Sequence, residues 1–370
     1  MKFTIMAGEL ADAVGWAAHA LPKRPASPVL AGVLVDVDKD WGETIRVSAF
    51  DYDTSRTMQV QADSVGEHGR ILVPGRLLAD VVKVFPKTAF VDVTADGREI
   101  LLRCGKAEYA LLLLDVDDYP SLPKTPPLVG SVDAAELAEA VAHAAVAAGR
   151  DNTLPMLTGV RLEVGDGPLD LAATDRYRMA WRQLGWTRPI DRLDAKVEAV
   201  IPSRPLADAV KGFPSGPVEL HLNDSIACLV GEDRTVTVRL LDPQFVNFRS
   251  HFSREPAGTV EVDAAELVNV VRRVSLLAER STPVRLSFRQ GEVLVEAGGG
   301  AMGRGSELAE CKLDGDDMQV AFNPGYLLDG LAAAGGTATL HLGEKPTTPV
   351  IVTGTGDPAF KYVVIPIRLS

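Results

Sequence analysis

Apolar and polar residues alternate with period two over short stretches, and longer stretches between them repeat every three to four residues. The period-two stretches VLVDV, IRVSAF, FVDVTA and EILLRC in the first third predict strands, as do VRLEV, LDLAAT, VELHL and TVTVRLL in the second. Turn formers such as Ala95-Asp96-Gly97 and Gly165-Asp166-Gly167 separate them. Two helical stretches accompany each set of strands. In one, Asp133 is placed to cap the helix with Glu136 three residues on, and Leu137, Ala140, Val141, Ala144 and Ala145 share a face. Another begins after Val73-Pro74, where a proline costs little because the first turn has no acceptor for its missing N–H. Its apolar stripe is Leu77, Leu78, Val81 and Val82. The reading is a sheet-rich α+β unit with two helices on one face.

That unit is written three times. Val132-Asp133-Ala134-Ala135-Glu136-Leu137 recurs unchanged as Val262-Asp263-Ala264-Ala265-Glu266-Leu267, and Gly8-Glu9-Leu10-Ala11 begins a weaker copy. Three further landmarks keep the same order in each copy. The first is Arg24 to Leu30, Arg150 to Leu157, and Arg280 to Val284. The second is VPGRLLADVVKVFP from Val73, IPSRPLADAVKGFP from Ile201, and FNPGYLLDGL from Phe322. The third is ALLLLD ending at Asp115, VTVRLLD ending at Asp242, and VVIPIRL ending at Leu369. The period, about 120 to 130 residues, is that of a domain and far exceeds a solenoid repeat. Pro-rich SLPKTPPLVGS after Tyr119 and FSREPAG before Thr259 mark the joints, giving domains 1–124, 125–254 and 255–370.

Charge changes the picture once it is located. The chain of 370 residues has a formal net charge of -12, which by itself disfavours a coat on nucleic acid. The basic residues nevertheless collect on and beside the helices: Lys23, Arg24 and Lys83, then Arg150, Arg204 and Lys211, then Arg272, Arg273 and Arg280. The acids gather in turns and strand ends, such as Asp36, Asp38, Asp40, Asp115, Asp117 and Asp118. A protein that is acidic overall can still present one basic wall of helices, attracting phosphates without reading sequence.

Chemistry is sparse. The six histidines show no HxxxH or HExxH spacing, and no GxxxxGK[ST] loop occurs. Gly298-Gly299-Gly300-Ala301-Met302-Gly303 fits GxGxxG only formally and reads as a flexible turn, because no helix is expected after it. Cys104, Cys228 and Cys311 are odd in number and widely spaced, so reduced cytosolic thiols are expected, with neither a disulfide framework nor a metal site. No catalytic residue, cofactor or metal is expected. There is neither an apolar run long enough for a membrane helix nor a signal-peptide pattern at the N-terminus.

The opening MKFT, the RPASPVL segment, LAATDRYRMAW at 171–181, FNPGYLLD at 322–329 and YVVIPIRL at 362–369 together resemble the bacterial DNA polymerase III beta subunit family, the DNA sliding clamps. The resemblance spans the chain. It implies a non-catalytic bacterial cytoplasmic protein whose three clamp-type domains close head to tail with a second copy into a ring. Helices would line the hole around duplex DNA and sheets would form the rim. Partners would be the polymerase III alpha subunit, the clamp loader and other proteins carrying short clamp-binding peptides. A main replicative clamp is expected ahead of a specialised second copy or a scaffold that does not encircle DNA.

By position in the motifs, the resemblance implies a peptide cleft in three parts. Leu157, Thr174, Asp175, Arg176, Tyr177, Arg178 and Met179 come from the middle copy, and Val246, Ser250 and His251 from the loop after it. Asn323, Tyr326, Pro349, Val363, Val364, Ile365, Pro366, Ile367 and Arg368 come from the last copy. Pro366 is expected to leave backbone groups of an edge strand free for a ligand. Many family members carry Gly-His where this chain has Arg176-Tyr177, proline where it has Val246, and an apolar residue where it has His251. The ring interface would pair Tyr109, Leu111 and Leu113 with Leu276 and Leu277, and DNA contacts would include Arg24, Arg150 and Arg204.

Overall fold

The computed structural model describes residues 1–151, 153–165, 167–189, 197–277, 282–300 and 303–368. Each copy runs strand, helix, strands, helix, strands. The helices are α1 (Ala7–Ala18) and α2 (Gly75–Lys83), α3 (Ala134–Ala145) and α4 (Ser203–Val210), and α5 (Ala264–Ser275) and α6 (Pro324–Ala334). Each of the eight period-two stretches is a strand within a residue or two of its expected ends, for example Gly32–Val37 and Leu169–Thr174. The helix starts follow the capping residues. Asp263 Oδ1 accepts from Glu266 N at 2.8 Å, Asp133 Oδ1 from Ala135 N at 2.9 Å, and Asn323 Oδ1 from Tyr326 N at 3.2 Å ahead of Pro324. Leu78, Val81 and Val82 of α2 are buried, whereas Leu77 is 50% exposed: it sits one residue before Leu78, about 100° round the helix from the buried stripe.

The strands ignore the borders between copies. Arg234–Arg239, closing the second copy, pairs antiparallel with Thr54–Gln61 of the first, with Ser55 opposite Thr237. Phe360–Val364, closing the third, pairs in the same way with Arg178–Leu184 of the second, with Met179 opposite Val363. Eight-stranded and twelve-stranded sheets result, beside a five-stranded sheet that ends at Ala107–Leu112. By compactness the chain therefore falls into two units. One is built on Met1–Ala135 with Asp208–Leu240, and the other on Glu136–Trp186 with everything from Leu241.

In the first unit α1 packs on α2 and on the strand Thr54–Gln61; in the second, α5 packs on α6. Close approach is visible at Gly330 of α6, where a Cβ would lie 2.4 Å from the ring of the fully buried Tyr362. The glycines from Gly298 close the strand Gly291–Gly300, and Gly303 opens Gly303–Asp314, so the formal GxGxxG joins two strands and is not a strand-to-helix phosphate loop. No described helix is long and apolar enough to cross a membrane.

Candidate functional site

The second compact unit carries a cleft of about 480 Å³ built around the turn between the strands Leu169–Thr174 and Arg178–Leu184. Two side chains hold that turn. Asp175 Oδ1 accepts from Tyr177 N at 3.0 Å and Arg178 N at 3.1 Å. Thr174 Oγ1 accepts from Arg176 N at 3.1 Å and donates to Arg178 O at 2.7 Å. Between them Arg176 is held at φ 80°, a left-handed conformation that glycine adopts freely and a side chain resists. The turn thus holds an arginine in this conformation, and Arg176 forms part of the cleft wall.

Arg178 is the centre of the site. Its side chain is 5% exposed, with Nε 2.9 Å from Asp175 Oδ2 and Nη1 2.5 Å from Asp329 Oδ2. Its guanidinium lies 4.3 Å from the centre of the Tyr326 ring. Burial opposes the charge, but Tyr362, Asp329 and Asp175 outweigh it and push the Arg178 pKa up. Burial pushes the Tyr326 and Tyr362 hydroxyls up, and Tyr362 donates to Tyr326 O at 2.9 Å. One cation thereby fixes the turn, α6 and the strand Phe360–Val364 in one arrangement.

Of the residues expected in the cleft, Leu157, Asp175, Arg176, Tyr177, Arg178, Asn323 and Tyr326 line it together. Others do not. Thr174, Met179, Val363 and Val364 are 6% exposed or less and face the interior. Met179 and Val363 pack with Phe248 and Ile351, because the Val246 loop folds Phe248 down over that face of the sheet. Val246, Ser250 and His251 are left exposed on the loop, and Pro349 is half-buried. Ile367 and Arg368 line a separate depression of about 510 Å³ with Met318, Gln319 and Ala321.

The C-terminal segment also departs from expectation. Phe360–Val364 is an interior strand between Arg178–Leu184 and Val350–Gly354, not an edge. The Ile365 and Ile367 N–H groups donate to Tyr177 O at 2.9 Å and Ala321 O at 2.7 Å, so neither is free for a ligand, and Pro366 is buried. What that segment offers are the half-exposed side chains of Ile365 and Ile367. Several cleft residues escape the sequence pattern. Asp151, Leu154 and Asp329 line it, and Asp329 pairs with an arginine so distant in sequence that no local pattern links them. Arg150, expected to face DNA, lies on the cleft wall, because it follows α3 in the connection instead of lying on the helix.

Lys23, Arg24, Lys83, Arg204, Lys211 and Arg272 are exposed, and none has an ion-pair partner among the described residues. Arg273 differs: its guanidinium is held on both Glu307 oxygens at 2.5 and 3.0 Å, which neutralises much of its charge. Arg280 lies outside the described residues.

Among the residues expected at a ring interface, Tyr109 is exposed on the edge strand Ala107–Leu112 and Leu276 is 79% exposed beside α5. Leu113 and Leu277 are half-buried. Leu111 is 6% exposed and turned into its own sheet's core, and the 68% exposed Leu112 holds the outward position. Strand alternation permits only one of two neighbours to face out. Leu308, 54% exposed on Gly303–Asp314, is a further outward leucine. No group of three or more metal-ligating side chains occurs among the described residues.

Three family descriptions match in succession. The N-terminal, central and C-terminal domains of the DNA polymerase III beta subunit match residues 1–123, 131–247 and 249–368. The chain belongs to the DNA polymerase III beta subunit family. Among curated relatives of this clamp family, the beta sliding clamp of Streptomyces coelicolor is 39% identical with 100% of both chains covered. The beta sliding clamp homolog GriR of Streptomyces muensis is 34% identical, covering 100% of this chain and 99% of the relative. The DNA polymerase III subunit beta of Pseudomonas aeruginosa shares the fold, with a TM-score of 0.93 at 24% identity and full coverage of both chains. The clamp fold, with six α-helices and large antiparallel sheets among the described residues, is therefore that of this chain, and the family is a non-catalytic processivity factor.

Proposed function

We propose that the chain, as three clamp modules at 1–124, 125–254 and 255–370, pairs head to tail with a second copy into a ring. The ring encircles duplex DNA and tethers the replicative polymerase. The observation that carries this reading is a pair of unlike, open strand edges. Ala107–Leu112 ends the five-stranded sheet with an unpaired outer edge, five of its six residues exposed. In Gly303–Asp314 only Lys312, Leu313 and Asp314 pair with Gly258–Asp263, leaving one edge of residues 303–311 without a described strand. Exposed edges with leucine side chains are aggregation hazards unless a partner covers them. Two unlike edges on one chain favour a head-to-tail contact, which stops growing only when a ring closes.

The exposed, unpaired arginines and lysines on and beside the helices supply the attraction to DNA. Phosphate contacts without base contacts leave the energy nearly level along the duplex, so the ring slides. Tethering works through effective concentration: a polymerase that lets go of the primer end rebinds as an intramolecular event. The polymerase alpha subunit, the clamp loader and other partners would dock short peptides in the Arg178 cleft, with Ile365 and Ile367 as apolar ground beside it. Sedimentation equilibrium tests the ring. The intact protein should be a dimer at micromolar concentration, and Leu112→Asp should convert it to monomer. A native chain that is already monomeric would count against the proposal.

A further inference from the structure

The two sheets that cross from one copy into the next are built alike, yet their outer faces carry opposite chemistry. Where Arg178–Leu184 meets Phe360–Val364, the facing pairs include Met179 with Val363, and Phe248 closes over them. Where Thr54–Gln61 meets Arg234–Arg239, the equivalent pairs are Ser55 with Thr237 and Thr57 with Thr235. Here a cavity of about 350 Å³ stands open, floored by these hydroxyls and flanked by Arg46, Arg70 and the segment from Ser121.

The donors in this cavity are not used up. Arg46 Nε is buried and has no hydrogen-bond partner among the described residues, while its guanidinium is steadied 3.7 Å from the centre of the Trp41 ring. Arg70 Nε is 3.9 Å from Asp36 Oδ2, too long for a hydrogen bond. Ser48 and Thr57 hydroxyls are 3.0 Å apart, and those of Ser55 and Thr237 are 2.6 Å apart. Each pair consumes one hydroxyl hydrogen and leaves the other to point elsewhere. Two guanidiniums against the single Asp36 carboxylate leave the cavity positive. Burial raises the Asp36 pKa, and the Arg70 and Arg46 guanidiniums pull it the other way.

We propose that this cavity is a binding site for a small phosphate or phosphate monoester. Two guanidinium forks and two spare hydroxyl hydrogens are more donors than a carboxylate's two oxygens use in one plane, and they suit a tetrahedral group. Leu34, Leu122 and Pro123 supply an apolar rim for the ester side. The cleft around Arg178 plays no part in this site, so the proposal stands apart from the peptide reading.

Titration calorimetry on the intact protein with inorganic phosphate, glycerol phosphate and, as a carboxylate of comparable charge, malonate tests it. Saturable phosphate binding at one site per chain is expected. Arg46→Met should weaken it about ten- to hundredfold, as loss of a charge-assisted hydrogen bond implies, and Arg254→Met on the surface should leave it unchanged. Thr57→Val, which keeps volume and strand preference, should weaken it severalfold and decides the matter if Arg46→Met fails to fold. Absence of saturable binding, equal binding by Thr57→Val, or tighter binding of malonate would overturn the proposal. So would displacement of glycerol phosphate by a single-stranded oligonucleotide, which would assign the donors to a nucleic-acid backbone.

Discussion

Replacing Arg178 with methionine tests whether one buried cation organises the cleft proposed to take peptides. Methionine fills much of the same volume but leaves two carboxylates facing each other. Asp175 is 13% exposed and cannot recover its hydration, whereas Asp329 is 44% exposed and largely can. Breaking a buried pair by removing one partner costs about 3–5 kcal/mol. The Asp329 share is discounted to the surface range of about 0–1 kcal/mol, so the lower end, roughly 3 kcal/mol, applies. For a unit of this size each kcal/mol lowers Tm by about 2–4 °C, giving a fall of roughly 6–12 °C. Thermal melting followed by circular dichroism reads it, with Asp329→Asn as the comparison expected to fall by no more than about 4 °C. Lysine at 178 restores charge without the forked geometry and should recover only part of the loss. A fall under about 2 °C for Arg178→Met, or full rescue by lysine, would refute the view that this guanidinium joins turn, helix and strand.

The other predictions concern separate parts of the molecule. Arg176→Gly should relieve a left-handed side chain worth about 1–2 kcal/mol, offset by glycine's entropy of about 0.5–1 kcal/mol. A denaturation midpoint unchanged or slightly higher is expected, and a clear decrease would show the turn is unstrained. Leu308→Asp, like Leu112→Asp, should shift the proposed dimer to monomer in sedimentation; an unaffected dimer would place the interface elsewhere. Reversing Arg24 and Lys83 to Glu should reduce the salt dependence of DNA retention, by about one unit of log–log slope for each phosphate no longer neutralised, without altering peptide affinity. Burial pushes the Cys228 thiol up to about 12 from 9.0. The native chain therefore keeps a proton that the unfolded chain loses above pH 9, and stability should fall as pH rises from 9 towards 12. Resistance of Cys228 to alkylation at pH 8 in the native protein checks the same burial.

What can be read from the sequence follows the range of the interaction. The strands and the helix starts at Asp133 and Asp263 rest on neighbours within a few residues, and all are present in the fold. Side-chain parity is harder. In the run Leu111 to Leu114 hydrophobicity cannot distinguish the inward from the outward residue, and a one-residue slip exchanges Leu111 for Leu112. Met179 and Val363 read as pocket walls because nothing local says that Phe248 folds over them. The Arg178–Asp329 pair and the N–H groups of Ile365 and Ile367, used by Tyr177 and Ala321, depend on partners from distant segments. The same holds for the sheets that join one copy to the next, which is why a chain of three repeats divides into two compact units.

Holding DNA by enclosure, and not by affinity alone, is the property on which the proposed function rests. Labelled protein should be loaded by a clamp loader onto nicked circular DNA, separated from free protein, and followed before and after a single cut in the circle. Retention on the intact circle, with rapid loss once ends are created, is expected of a closed ring. Equal rates of loss from intact and cut DNA would mean that no ring surrounds the duplex.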